Sequence, residues 1–324
     1  MNSLPPVKIK RPASVLVRDF FEHNQEDLKL RMVGTDDGLS RRILEPSVNR
    51  PGLALSGFFT YFAYKRVQVI GNSELSFLGG LKPELARQRF SQLCSQDIPC
   101  IVLARGRMIP QDLIEIANEA GITVMQTSMI TMKFINQATI KLDYHFAPMT
   151  LIHACLVDVQ GIGVLVQGDS GTGKSEAVIG LLQRGCSLVA DDVVRLRLIE
   201  ERDVVGSAPE TTQNMIEIRG LGILNVAALF GVGAVRLTKR VDLVVRLRAG
   251  IETSELERVG MGERKVPLMG IDTPTVEIPV APGRDVASLI ELAALNYKLK
   301  AFGYNSAVDF DQRLLKKMAD RQLG

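Results

Sequence analysis

The chain has 324 residues, of which 46% are hydrophobic and 23% charged, and its formal net charge at pH 7 is +3. This length favours two domains, each large enough to bury a core, and the composition excludes a wholly disordered chain. Because the net charge is small and no long basic run occurs, we expect no nucleic acid partner.

The amino terminus and the cysteines indicate a cytoplasmic protein. The first residues mix charges with prolines where a signal peptide needs an apolar stretch. No run of 18 apolar residues occurs, so we expect neither a transmembrane helix nor a membrane partner. The cysteines show no C-x-x-C pair and no metal-like spacing with a histidine, which predicts buried, unpaired thiols in a reducing compartment. They are Cys94, Cys100, Cys155 and Cys186.

Residues 1–136 alternate between strand-like and helix-like patterns. Short apolar runs predict strands at residues 66–70, 99–103 and 121–125. Helical spacing of apolar residues predicts helices at residues 84–93 and 110–118. Strands that alternate with helices are typical of a layered α/β domain. Because we find no chemistry-bearing cluster here, we interpret this domain as one for assembly or regulation.

Residues 137–324 predict a second α/β domain, with a mixed β-sheet and flanking helices. Two β-rich runs, at 153–159 and 162–167, are joined by Gln160-Gly161 and predict a hairpin. Further strands are predicted at 187–190, 193–199, 241–247 and 275–280, and the clearest late helix spans 285–300. The predicted fold class is therefore α/β in two domains.

The glycine-rich segment 168–175 predicts a phosphate-binding loop, because it matches G-x-x-x-x-G-K-[ST]. A strand-like run precedes the loop, and an apolar-striped helix follows it and stops at Gly185. Exposed backbone N–H groups would cradle phosphates, with the Lys174 ammonium on the outer phosphates and the Ser175 hydroxyl on Mg²⁺. The alternative is a glycine-rich turn that binds nothing. The predicted nucleotide-binding residues are Gly168, Asp169, Ser170, Gly171, Thr172, Gly173, Lys174 and Ser175.

Two acidic segments downstream of the loop suggest metal and proton chemistry. Asp191 and Asp192 end the predicted strand 187–190, where one acid would contact Mg²⁺ through water and the other would act as a general base. The alternative is a plain Asp-Asp turn. In the segment 216–225, Glu217 is a candidate metal ligand and Arg219 a candidate phosphate contact. The residues alone leave equally open a surface turn with a Glu–Arg ion pair.

Taken together, these segments resemble the HPr kinase/phosphorylase family. The resemblance rests on the loop, on Val-Ala-Asp-Asp at 189–192 and on Glu-Ile-Arg-Gly-Leu-Gly-Ile-Leu-Asn at 217–225, and it extends to 49–55, 229–235, 278–284 and 291–305. The resemblance implies a P-loop kinase that uses ATP and Mg²⁺ to phosphorylate a seryl hydroxyl of the phosphocarrier protein HPr. It also implies removal of that phosphate by inorganic phosphate, which yields pyrophosphate, and assembly as a homohexamer.

The resemblance also assigns roles to particular residues. It implies that Lys174 holds the phosphates, that Ser175 and Glu217 ligate Mg²⁺, and that Asp192 takes the seryl proton and returns one in the reverse direction. Asp191 would support the metal or the base.

His153 matches the family's active-site histidine, although its own sequence context favours a core or edge histidine. Arg258 matches the family's catalytic arginine. One further segment, matched to dephosphorylation, comprises Pro279, Val280, Ala281, Pro282, Gly283 and Arg284.

The chain departs from the family pattern at several positions. Cys186 stands where a histidine is usual, Ala281 stands where an arginine is common, and the chain has no tryptophan. Two other functions remain alternatives. A small-metabolite kinase would need a pocket for its metabolite, and a nucleotide-sensing regulatory protein would bind ATP without transferring phosphate.

Overall fold

The computed structural model describes residues 9–250, 264–306, 308–310 and 312–313. The chain divides into two compact units. One comprises Arg11–Ala147, and the other comprises Met1–Lys10 together with Pro148–Gly324. The predicted domain boundary at 136/137 falls inside a helix that runs from Thr131 to Phe146.

The unit Arg11–Ala147 alternates strands and helices along the chain. Its strands are β1 (Val15–Leu16), β2 (Leu30–Met32), β3 (Arg42–Ile43), β4 (Val48–Asn49), β5 (Val67–Ile70), β6 (Cys100–Leu103) and β7 (Thr123–Thr127). Its helices are α1 (Val17–Asn24), α2 (Gly52–Leu55), α3 (Asn72–Gly79), α4 (Pro83–Cys94), α5 (Gln111–Glu119) and α6 (Thr131–Phe146). The three strands and two helices that the sequence predicts here are confirmed, with ends that differ by one or two residues.

A five-stranded sheet in the order β2-β7-β6-β5-β4 forms the middle layer of this unit. Strands β4 to β7 are parallel, and β2 pairs with β7 antiparallel. Every residue of β5, β6 and β7 is buried, as expected for parallel strands covered on both faces. Phe20 and Phe134 pack in the core on one face, and Phe90 packs in the core on the other. The predicted layered α/β domain is confirmed.

The second unit carries the remaining elements. Its strands are β8 (Met149–His153), β9 (Cys155–Val159), β10 (Ile162–Gln167), β11 (Ser187–Ala190), β12 (Val193–Ile199), β13 (Asp203–Ser207), β14 (Met215–Ile218), β15 (Gly222–Asn225), β16 (Thr238–Arg240), β17 (Leu243–Ala249), β18 (Lys265–Leu268) and β19 (Ile271–Val280). Its helices are α7 (Lys174–Gln183), α8 (Val226–Phe230) and α9 (Val286–Ala301).

Two packed sheets and two helices build the core of this unit. Within the described part of the chain, one sheet has the order β11-β9-β10-β17-β19-β18, and the other has the order β16-β13-β12-β8. In the first sheet β10, β17 and β19 are parallel and the other pairings are antiparallel, so the predicted mixed sheet is confirmed. One core lies between this sheet and helices α7 and α9, and a second lies between the two sheets.

The predicted strand 153–159 is wrong at its beginning. His153 ends β8 in the four-stranded sheet, whereas β9 begins at Cys155 in the mixed sheet. The chain passes from one sheet to the other at Ala154, which is fully buried and donates its N–H to the carbonyl of Asp192 at 3.0 Å. The pattern of β-favouring residues runs through this crossing without a break, so the sequence does not reveal it.

Two sequence expectations concern burial and membrane insertion. The four cysteines are buried and unpaired, as predicted. In the parts of the chain that the structure describes, we find no helix with the length and apolar character needed to cross a bilayer.

Candidate active site

The glycine-rich loop lies between the end of β10 and the start of α7, in the predicted order of strand, loop and helix. Gly171 and Gly173 have φ values of +84° and +83°, a left-handed conformation that glycine adopts without a steric cost. Gly173 caps the helix, and Lys174 and Ser175 are its first two residues. The loop therefore places backbone amides at the positive end of a ten-residue helix.

Lys174 is held against the loop itself. Its side chain is buried, and its ammonium donates to the carbonyl oxygens of Gly168 at 2.9 Å and of Asp169 at 3.2 Å. A second bond within the loop runs from the Thr172 hydroxyl to the carbonyl of Asp169 at 2.8 Å. The two lysine bonds hold the ammonium against the backbone of the loop.

A β-bulge at the end of β11 turns Asp191 toward α7. The register of β11 against β9 shifts between Leu188 and Ala190. Side chains of a regular strand alternate between faces, yet Val189 and Ala190 both pack between the two sheets, whereas Leu188 packs toward α7. The extra residue therefore brings the next side chain, the carboxylate of Asp191, to the face where α7 begins.

Asp191 is a buried carboxylate that accepts hydrogen bonds from three different segments. The Ser175 hydroxyl donates to Oδ1 at 3.1 Å and to Oδ2 at 3.2 Å. The backbone N–H of Glu217 donates to Oδ2 at 3.1 Å, and the thiol of Cys155 donates to Oδ1 at 2.8 Å. Burial, and after it the negative charge of Asp191, raises the pKa of the Cys155 thiol well above its usual value, so the thiol stays protonated and acts as a donor.

Asp192, the next residue, points to a different place. Its backbone has φ +63°, and its carboxylate Oδ1 lies 3.0 Å from Nδ1 of His153. The two side chains are 58% and 52% exposed, respectively. Consecutive acids thus occupy different environments, one buried among donors and the other open to solvent beside an imidazole. The alternative of a plain Asp-Asp turn does not account for these contacts.

The segment around Glu217 is a two-stranded hairpin formed by β14 and β15. Its strand β14 is tied to Asp191 through the backbone of Glu217, and its turn carries Arg219 over the glycine-rich loop. The Arg219 guanidinium donates to the hydroxyl of Ser170 at 3.4 Å. The hairpin therefore brings one carboxylate and one guanidinium to the loop.

These elements enclose one cleft of about 230 Å³. The side chains that line it carry hydroxyl, carboxylate, imidazole, ammonium and guanidinium groups. The lining residues are His153, Ser170, Gly171, Gly173, Lys174, Ser175, Glu176, Asp191, Asp192, Glu217 and Arg219. Predicted site residues from four separate segments of the sequence thus meet in one place.

Other predicted residues are not part of this cleft. Pro279 and Val280 end β19, and the exposed residues 281–284 lead from it to α9. Because β10, β17 and β19 run parallel, this segment leaves the same edge of the sheet as the glycine-rich loop, but it does not line the cleft. Arg258 lies outside the described residues.

Two residues of the site were missed by the sequence analysis. Glu176 lines the cleft from the first turn of α7, and an acid directly after the G-K-S motif was a usable signal. Cys155 was predicted to be a buried core residue, and it is buried, but its contact with Asp191 was not foreseen. That contact joins neighbouring strands far apart in sequence and leaves no local signal.

Family models and similar curated proteins agree on one family. The model for the HPr Serine kinase N terminus matches residues 15–142, and the model for the HPr Serine kinase C-terminal domain matches residues 144–314. An HPr kinase/phosphorylase of Bacillus pumilus (strain SAFR-032) is 42% identical over 295 residues, which cover 91% of this chain and 95% of the relative. An HPr kinase/phosphorylase of Halalkalibacterium halodurans is 41% identical over 302 residues, covering 93% and 96%. A solved structure, the Hpr(Ser) kinase/phosphatase from Coxiella burnetii, is 34% identical with a TM-score of 0.45, covering 50% of this chain and 98% of its own.

Proposed function

The chain belongs to the HPr serine kinase family, and we propose that it transfers a phosphoryl group from ATP to a seryl hydroxyl of the phosphocarrier protein HPr. We propose in addition that it removes this phosphate by phosphorolysis, in which inorganic phosphate attacks the phosphoserine and pyrophosphate is released. The name kinase/phosphorylase of the similar proteins supports both directions.

The observation that carries the proposal is the position of Asp192. Its carboxylate lies on the rim of the cleft that the glycine-rich loop also lines, and it is more than half exposed. A residue in this position is accessible to a serine presented on the surface of another protein. A kinase for a small metabolite would instead be expected to enclose its acceptor in a deep pocket.

The residues around the loop fit a magnesium nucleotide. Mg²⁺ prefers oxygen ligands and is commonly held by one or two protein groups together with phosphate oxygens. The Ser175 hydroxyl and the Glu217 carboxylate supply such oxygens, and the Asp191 carboxylate accepts a hydrogen bond from the Ser175 hydroxyl. A bound Mg²⁺ supplies positive charge that neutralises the phosphates.

Each residue then has a separate task in the transfer. The loop amides and Lys174 bind the phosphates, and Arg219, whose guanidinium contacts Ser170 of the loop, adds a second positive charge. Asp192 accepts the proton of the attacking serine, and His153 orients its carboxylate. In the reverse direction Asp192 returns a proton to the departing serine, because the same group must serve both directions of one reaction.

The family resemblance supports further assignments. We propose that the protein acts in the cytoplasm and assembles as a homohexamer, and that the amino-terminal domain serves assembly or regulation. We also propose that Arg258 takes part in catalysis and that residues 279–284 serve dephosphorylation.

The proposal is tested by incubating the purified protein with labelled ATP, Mg²⁺ and HPr. We expect label on HPr, no label on an HPr variant whose acceptor serine is replaced by alanine, and release of the label as pyrophosphate when phosphate is added. Label that appears on a small molecule of a cell extract but not on HPr would instead identify a metabolite kinase. Binding of ATP without any transfer would identify a nucleotide sensor.

A further inference from the structure

We propose that Cys155 is a positioning residue for phosphoryl transfer, because its thiol fixes the turn that carries both active-site carboxylates. This inference rests on the proposed function for its kinetic consequence. It concerns a side chain that does not line the cleft and that acts through Asp191 and Asp192.

The contacts of the segment 153–155 support this role. The Cys155 thiol donates to Asp191 Oδ1 at 2.8 Å, and the backbone N–H of Asp192 faces the same sulfur and partly offsets the rise that burial causes in the pKa of the thiol. One residue earlier, the N–H of Ala154 donates to the carbonyl of Asp192 at 3.0 Å. His153 contacts the Asp192 carboxylate. Three consecutive residues therefore contact two consecutive acids, and Cys155 is the one of the three that bonds to the buried carboxylate of Asp191.

The turn that these contacts hold is one that the backbone does not favour. Asp192 has φ +63°, in the left-handed region, which aspartate and asparagine reach more readily than other residues with a Cβ but which local contacts still help to hold. The thiol donates to the Asp191 carboxylate, whereas an alanine or valine at this position has no donor. Without the thiol, Asp191 keeps the Ser175 hydroxyl and the Glu217 amide as donors, but its Oδ1 loses the partner on the side of β9.

We predict that the loss of the Cys155 thiol changes the position of the active-site carboxylates, apart from its effect on core packing. Cys186 is a control for the effect on core packing. Cys155 and Cys186 belong to the same apolar core, and they are 0% and 2% exposed. Replacing either by alanine removes one buried sulfur from that core. Only at position 155 does the change also remove contacts to the active-site turn.

The experiment compares Cys155→Ala, Cys155→Ser and Cys186→Ala in the full-length protein. We expect similar falls in melting temperature for the two alanine variants. We expect kcat for HPr phosphorylation to fall about ten- to a hundredfold in Cys155→Ala, since small displacements of catalytic groups have effects of this size. Cys186→Ala should keep the wild-type kcat, and Cys155→Ser, which retains a donor and an acceptor, should recover most of the loss.

A second measurement does not depend on phosphoryl transfer. The affinity for a fluorescent ADP analogue is measured in Mg²⁺ and in EDTA. We expect Cys155→Ala to reduce the gain in affinity that Mg²⁺ causes, because Asp191 accepts a hydrogen bond from Ser175. Equal kcat values for Cys155→Ala and Cys186→Ala, or no recovery in Cys155→Ser, would overturn the inference. If the wild-type protein itself fails to label HPr, the proposed function fails, and the Mg²⁺ titration alone decides the role of Cys155.

Discussion

The hydroxyl of Ser175 donates to both carboxylate oxygens of Asp191, at 3.1 and 3.2 Å, and so ties the first turn of α7 to the end of β11. We predict that Ser175→Ala loses most of the tightening of nucleotide binding by Mg²⁺, because it removes the hydroxyl that we propose as a ligand of the metal. The expected loss is about tenfold in affinity, or ~1.4 kcal/mol. Titration of a fluorescent nucleotide with and without Mg²⁺ measures it.

The control for Ser175 is threonine, which keeps the hydroxyl. Ser175→Thr should bind nucleotide with nearly the wild-type dependence on Mg²⁺, and both variants should bind alike in EDTA. A loss of affinity in Ser175→Ala that is as large in EDTA as in Mg²⁺ would show that the hydroxyl acts on the loop and not on the metal.

Asp192→Asn should separate catalysis from binding. Asparagine tolerates the left-handed backbone of this position, so we expect the fold and the nucleotide affinity to be retained. If Asp192 is the proton acceptor that we propose, its removal should lower kcat by about 10²- to 10⁴-fold, the usual contribution of a general base. The measurement is the rate of HPr labelling at saturating ATP.

A matched control for Asp192→Asn is Glu200→Gln. Glu200 is also an exposed acid with a left-handed backbone, at φ +49°, and it lies in the turn between β12 and β13, away from the cleft. Its substitution should leave kcat unchanged. If Asp192→Asn retained wild-type kcat, the assignment of Asp192 as the base would be wrong.

Gly173→Ala tests the loop against a second glycine of the same conformation. Gly173 has φ +83° and Gly161 has φ +95°, and a methyl group on either would meet no atom closer than 3.8 Å. Each substitution should therefore cost only the strain of a left-handed alanine, roughly 1–2 kcal/mol. Only Gly173→Ala should also abolish nucleotide binding, because it disturbs the amides of the loop.

Thermal unfolding and nucleotide titration of both variants provide the comparison. The two variants should have similarly lowered melting temperatures. If Gly173→Ala nevertheless kept the full nucleotide affinity, this would argue against a phosphate-binding role for the loop.

The sequence predicts this loop well because its signals are local. A strand-like apolar run, the glycines and the G-K-S ending follow one another directly in the sequence, and the structure has the strand, loop and helix in that order. The family resemblance from the motifs is confirmed by the family models and the relatives.

Other features were not predicted because they depend on pairing between distant segments. The bulge that turns Asp191 toward α7 depends on the register against β9, and the crossing at Ala154 depends on which sheet each strand joins. The predicted domain boundary at 136/137 falls inside helix α6, although Phe134, Ala138 and Leu142 form a buried stripe at a spacing of four.

The cysteines should be unreactive in the native protein. Burial raises the pKa of the Cys94 and Cys100 thiols to about 12 and that of Cys186 to about 11, and it raises the pKa of Cys155 as well. Only the thiolate is a nucleophile, so at about pH 8 both its low population and the burial of the sulfur suppress reaction.

A disulfide reagent that reports free thiols by absorbance tests this prediction. We expect almost no reaction in native buffer and four thiols per chain after addition of denaturant. Rapid reaction of even one native thiol would contradict the packing described for its site.

Because α7 and α9 are in close contact, we predict that replacing a glycine of α7 by alanine lowers the stability of the protein. A methyl group added to Gly180 would lie 2.7 Å from Cβ of Ala287, closer than real side chains approach. An alanine in a helix normally gains up to ~1 kcal/mol over glycine, but overpacking of this kind costs about 1–3 kcal/mol. We therefore expect Gly180→Ala to destabilise the protein.

The double variant Gly180→Ala/Ala287→Gly shows whether the clash is the cause. Removing the methyl group of Ala287 makes room for the new one. The free energy of unfolding of the double variant should therefore lie within about 1 kcal/mol of that of the wild type. Its loss of stability should be smaller than the sum of the losses in the two single variants. Unfolding in urea, followed for the unit that contains α7 and α9, gives the coupling free energy between the two substitutions. Strictly additive losses would mean that α7 and α9 are not in contact at this position, since only atoms that touch can relieve each other's strain.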